Sequence, residues 1–218
     1  MPNWCYNDEY IYGPKKDIEN LYEKLVEWIK PIPKLVEKAK KDKRRADYDN
    51  WLGNIFTNAG FDTNDPEFYC RGWLTCDFSL SDFDEDVSII EFGSETAWGS
   101  IYESWDAFLK KVAPSCTYGF LSEECGMAFY AKRDPFGMFE DFDWYIDTCI
   151  NQPDKCPNII LDRRCDCLRD DELNYILSDV LHMEGTTEVL LKEFNKNVEA
   201  GLYGKDNHFY IHKYEIIE

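Results

Sequence analysis

The chain has 218 residues, 44% hydrophobic and 16% aromatic, which is enough to bury a sizeable core and too apolar for disorder. With 43 acidic against 24 basic residues its net charge is −19, which works against direct nucleic-acid binding, since such sites are basic stripes. No basic, apolar leader opens the sequence and no apolar run approaches the ~18 residues of a membrane span, so nine cysteines read as reduced cytoplasmic thiols.

Residues 4–12 are rich in aromatic residues and end on Gly13-Pro14, a turn signal, which predicts a strand. Alternation places Cys5, Asn7, Glu9 and Ile11 on one face, and Trp4, Tyr6, Asp8, Tyr10 and Tyr12 on the other. A helix follows, with Ile18, Leu21, Tyr22, Leu25 and Ile29 on one stripe, stopped by Pro31 and Pro33. Lys34 to Arg45 is the one basic tract; it lacks interleaved aromatics and reads as a solvated helix or loop. A short helix around Trp51 to Phe56 leads to a strand from Trp73 to Phe83, an acidic turn over Asp82 to Asp86, and a returning strand from Val87. Ser100 and Glu103 have the spacing of a capping box, before a helix carrying Ile101, Trp105, Phe108, Leu109 and Val112. Tyr118 to Tyr130 is strand-like, interrupted at Glu123-Glu124-Cys125-Gly126 by a bulge or tight turn.

Residues 4–131 therefore read β-α-(insert)-β-β-α-β, the split βαβ order of a ferredoxin-like domain. The expectation is an α+β protein: a ferredoxin-like sheet at 1–135 with helices on one face and an insert at about 31–70, then an α/β C-terminal extension over 136–218. In this order the first and third strands are central. The second sheet face stays open unless the extension covers it. That extension reads as a strand at 143–148, a Pro- and Cys-bearing loop at 151–168, two helices ended by Gly185 and Gly201, and a strand from His208 to Ile217.

Met1-Pro2-Asn3-Trp4-Cys5 with Asn7, Ile11 and Gly13, then Glu95-Thr96-Ala97-Trp98 and Glu124-Cys125-Gly126-Met127-Ala128-Phe129, resembles the YubB-like family of phage and plasmid proteins. The resemblance covers about residues 1–131 and implies a ferredoxin-like domain carried by a mobile element in a bacterial host. Glu9, where that family has an apolar residue, and Gly99-Ser100, in place of a proline-rich step, depart from its pattern.

Cys149, Cys156, Cys165 and Cys167 cluster in sequence, with His208 and His212 in the last strand, but no Cys-x2–4-Cys knuckle is present. Neither metal nor cofactor is expected. Adjacent acids are common by composition, and Asp170-Asp171-Glu172 suits a helix N-terminus. No phosphate loop, nucleophile elbow or zinc-hydrolase pattern occurs, and no catalytic residue is assigned.

The ring face is the informative feature, since open aromatic faces on this topology stack bases. Trp4 and Trp98 are expected to stack on a base, with Arg71 and Asn7 as donors to its phosphate or polar edge. The competing expectation makes the rings plain core beneath the C-terminal extension. The leading functional expectation is non-enzymatic capture of a nucleotide-like small molecule in counter-defence. The alternatives are an acidic, nucleic-acid-mimicking inhibitor of a basic host protein, then a metal-dependent phosphodiesterase.

Overall fold

The computed structural model describes residues 3–41, 48–63, 65, 70–161, 163 and 166–218. Met1 and Pro2 of the opening motif, residues 42–45 of the basic tract and Cys165 lie outside them. The fold is α+β. The chain divides into two compact units, residues 1–138 with 216–218, and residues 139–215.

The first unit is built on β1 (Trp4–Pro14), whose alternating sequence lets one face enter the core while its backbone bonds on both edges. It pairs antiparallel with β3 (Val87–Ala97), from Trp4 opposite Ala97 to Pro14 opposite Val87, and with β4 (Thr117–Glu124), from Tyr6 opposite Glu123 to Tyr12 opposite Thr117. With β2 (Gly72–Asp82), β5 (Phe129–Arg133) and β9 (Glu215–Ile216), the sheet order is β2-β3-β1-β4-β5-β9. The first and third strands are thus interior.

Helices α1 (Lys15–Trp28) and α4 (Tyr102–Val112) lie on one side of this sheet. Ile18, Leu21 and Leu25 of α1, and Trp105, Phe108 and Leu109 of α4, are buried with Ile11, Ile90, Phe92 and Phe120. Between α1 and β2 come α2 (Pro33–Lys41) and α3 (Gly53–Asn58). Pro33 opens α2 at a position where its missing N–H is no loss. Leu52, Ile55 and Phe56 join the core, so the later part of the insert is structural.

One local expectation changes and another narrows. The Ser100 capping box does not form: α4 begins at Tyr102 with Ile101 at the cap, which leaves Glu103 one position too early for the reciprocal bond. The buried Ser100 hydroxyl lies beside Tyr118 instead. Of the two readings at Glu123 to Gly126, the structure has the tight turn and not the bulge, and the reversal makes β5 a separate strand. The Glu124 carboxylate accepts the Gly126 and Met127 N–H groups at 2.9 and 2.5 Å, which closes the turn.

The second unit has a three-stranded sheet, β7 (Asp166–Leu168), β6 (Trp144–Cys149) and β8 (His208–Lys213), in the order β7-β6-β8. Helices α5 (Asn158–Leu161), α6 (Asp170–Leu181) and α7 (Thr187–Glu199) supply Ile160, Leu173, Ile176, Leu177, Leu190 and Phe194 to its core. Asp170 starts α6 and accepts the Trp144 indole N–H and the Thr187 hydroxyl, both at 2.9 Å. The acid run at 170–172 is therefore a helix start. Among the described residues no helix is long and apolar enough to cross a membrane.

Because β1 bonds along both edges, deleting residues 1–12 should remove the centre of the first sheet. The truncated chain is expected to be insoluble or to lose its cooperative thermal transition for the first unit by circular dichroism.

Candidate functional site

Parity along β1 divides the candidate residues between two unlike environments. The helix side carries a polar row, Cys5, Asn7 and Glu9, each almost completely buried. Buried polar groups must find partners, and the neighbouring strands supply hydroxyls. The Asn7 amide donates to Thr96 Oγ1 at 2.9 Å and Ser94 Oγ at 3.2 Å, while its oxygen accepts from Ser122 Oγ at 2.7 Å. The Thr96 hydroxyl in turn donates to the Gly99 carbonyl at 2.6 Å. Asn7, expected to meet a ligand beside Trp4, is instead a strand-bridging core residue on the opposite face.

Glu9 sits one step further along the same row. Tyr118 donates its hydroxyl to Oε1 at 2.6 Å, while the buried Oε2 has no hydrogen-bond partner. Burial pushes its pKa from 4.5 up to about 7, partly offset by the Ser94, Tyr118 and Trp105 side chains beside it. Burial also pushes the Cys5 and Cys70 thiols up to about 12, which leaves them unreactive.

The opposite face carries the rings, and it is only half covered. Tyr12 stacks on Phe136, with ring centroids 4.3 Å apart. Tyr10 is buried and donates its hydroxyl to Asp134 at 2.6 Å. The segment after β5 thus buries Tyr10 and partly covers Tyr12. At the other end of the strand Tyr6 is 61% exposed. Trp4 meets the edge of Trp73 at 5.7 Å, and the Arg71 guanidinium lies over the Trp4 ring at 5.9 Å.

The structure therefore brings Trp4 and Arg71 together and adds Tyr6 and Trp73. Trp98 lies at the same end of the sheet, its N–H donating to the Asn3 carbonyl at 3.0 Å and its side chain 48% exposed. Its φ of 76° is left-handed, a conformation that costs an aromatic residue about 1–2 kcal/mol. Trp73 was legible in sequence only as a strand residue, because its place beside Trp4 depends on a register with two irregularities in β2.

Other candidate groups have structural work. Asp82 accepts from Lys15 Nζ at 2.6 Å and Ser88 Oγ at 2.8 Å, and Asp84 accepts the Asp86 and Val87 N–H groups at 2.8 Å. The acidic turn is thus held by its own carboxylates. Cys149 stands opposite His208 in the β6–β8 ladder, and Tyr145 stands between Cys167 and His212. Among the described residues no group of three or more His, Cys, Asp or Glu side chains fits a metal ion.

No family model, no curated protein and no solved structure matches this chain.

Two measurements test the buried row. Asn7→Ala leaves Ser122 without its acceptor and Ser94 and Thr96 without their donor, and should cost roughly 2–3 kcal/mol in urea unfolding. For Glu9, the folded pKa lies above the unfolded one, so the native state holds an extra proton between pH 4.5 and about 7. Stability should be fullest at the acid end of that window, fall by roughly 3 kcal/mol across it, and level above it. Thermal melts of Glu9→Gln should show little change between pH 5.5 and 8, and a higher melting temperature than the wild type at pH 8.

Proposed function

We propose that the protein is a non-enzymatic binding protein that captures a nucleotide-like small molecule on the uncovered end of its first sheet. One observation carries this reading. In a chain with 43 acidic residues, the Arg71 guanidinium lies over Trp4 and makes no hydrogen bond or ion pair among the described residues. Five donors in a planar fork, held against an indole, suit a phosphate oxygen pair. The neighbouring rings, Trp4, Tyr6 and Trp73, offer the stacking surface for a base, and Trp98 borders the same end.

A small ligand suits the face better than a polynucleotide. Asp8, Glu91 and Glu95 point to the same side as the rings by strand parity, so each added phosphate meets repulsion. The same acids favour a second reading, an acidic inhibitor docking on a basic host protein, which Arg71 opposes. The resemblance to YubB-like proteins adds a setting: a mobile element that sequesters a signal or metabolite of host defence.

The test is a retention panel. Wild-type protein incubated with cyclic and linear nucleotides, separated from free ligand and then denatured, should release an intact nucleotide by mass spectrometry. Stacking contributes ~1–3 kcal/mol per base, so Trp4→Ala and Trp98→Ala should each weaken binding by roughly 5- to 150-fold without unfolding. Arg71→Ala should lose the preference for nucleotide over nucleoside. A shortened or linearised product would move the protein to the phosphodiesterases. No retention at all would make the rings a surface without a nucleotide.

A further inference from the structure

The ladders place Trp73, Glu95 and Tyr6 in one row across β2, β3 and β1, directly opposite one another on the ring face. Side chains so opposed have Cβ atoms about 5 Å apart. Glu95 is half-buried between the two rings, and its carboxylate makes no hydrogen bond or ion pair among the described residues. Trp4 and Ala97 form the next row, with the Arg71 carbonyl accepting the Ala97 N–H at 2.9 Å. One row thus offers rings with an acceptor between them, and the adjacent row offers a ring with a cation.

From this juxtaposition we infer that the captured molecule is a guanine nucleotide with a single phosphate. The inference rests on the capture reading above and adds the identity of the base and the charge of the tail. A base stacked on Tyr6 lays its edge over Glu95. An ionised carboxylate only accepts hydrogen bonds, and it accepts two side by side. The Watson–Crick edge of guanine presents adjacent donors, N1–H and the N2 amino group, and satisfies both oxygens. Adenine and cytosine each pair one amino donor with a ring-nitrogen acceptor, whose lone pair would face the carboxylate. Uracil flanks its one N–H with two carbonyls. A site built around a donor pair rejects analogues that leave a polar group unmatched.

The tail is limited by charge. Arg71 in the adjacent row can hold one phosphate group through two parallel bonds. Beyond it the face carries Asp8, Glu91, Glu95 and Glu123, with Lys132 further along beside Leu121. Glu123 stands on the other side of Tyr6 and already has an interaction of its own. Each further phosphate therefore adds repulsion from carboxylates without gaining a second guanidinium.

Calorimetric titration of the full chain with GMP, AMP, CMP, GTP and guanosine at one ionic strength tests this. GMP should bind 10- to 100-fold more tightly than AMP or CMP, and more tightly than GTP or guanosine. Glu95→Gln replaces one acceptor by a donor, and the amide then matches the donor–acceptor edge of adenine. The variant should therefore lose the GMP preference and gain affinity for AMP, with an unchanged melting temperature. Binding of all bases alike, or a GMP preference that survives Glu95→Gln, overturns the guanine assignment and leaves nucleotide capture standing. GTP binding more tightly than GMP overturns the single-phosphate assignment. If no compound binds, the capture reading itself falls and this inference with it.

Discussion

The double ladder of β1 fixes the parity of every side chain around it. Bonded to β3 on one edge and β4 on the other, the strand cannot slide without breaking both ladders. A slip of one residue would exchange Cys5, Asn7 and Glu9 with Tyr6, Asp8 and Tyr10. The polar row makes that exchange unusually costly. An apolar row tolerates displacement among other apolar neighbours, but the Asn7 amide needs Ser94, Thr96 and Ser122 at one register. Hydrogen-bond matching thus adds specificity where hydrophobic burial alone would be permissive.

Glu9 shows the cost of that arrangement. Its carboxyl shares the helix-side core with Trp105 and Phe92, receives one good donor, and keeps a second oxygen unmatched. Ionisation there opposes folding at neutral pH, so the core is less stable than an apolar residue of similar size would make it. The opposite face has a different economy. Asp134 and Phe136 close over Tyr10 and Tyr12, while Trp4, Tyr6, Trp73 and Trp98 keep substantial exposed surface. One strand therefore contributes core at one end of its ring face and accessible aromatic surface at the other.

Much of the architecture was legible because alternation and helical stripes are local. Residues 4–12, Ile18 to Leu25 and Trp105 to Leu109 declare their faces by spacing alone. Ser100 and Glu103 have the separation of a capping box, but the helix starts one residue late, so spacing alone does not locate the cap. At the β4–β5 break the spacing admits both a bulge and a tight turn; the structure has the turn, which the Glu124 side chain closes in place of a familiar turn pair, so the separate strand β5 is not legible locally. At the site, the rings were visible, but partnership was not. That Asn7 bridges three hydroxyls, that Trp73 meets Trp4, and that Glu95 lies between rings all depend on register across strands distant in sequence.

The order in which the chain visits its two units bears on biosynthesis. It leaves the first unit after Met138 and returns at Ile216, where the Ile217 N–H bonds to the Lys132 carbonyl at 2.9 Å and Arg133 reaches the Glu218 carbonyl at 3.1 Å. During translation the outer edge of β5 is therefore complete long before its neighbour exists. Nearly eighty residues must emerge before that edge can be capped. An unpaired edge invites pairing with other chains. The nascent protein is thus most vulnerable to aggregation during this interval, which ends only when the chain returns to the first unit.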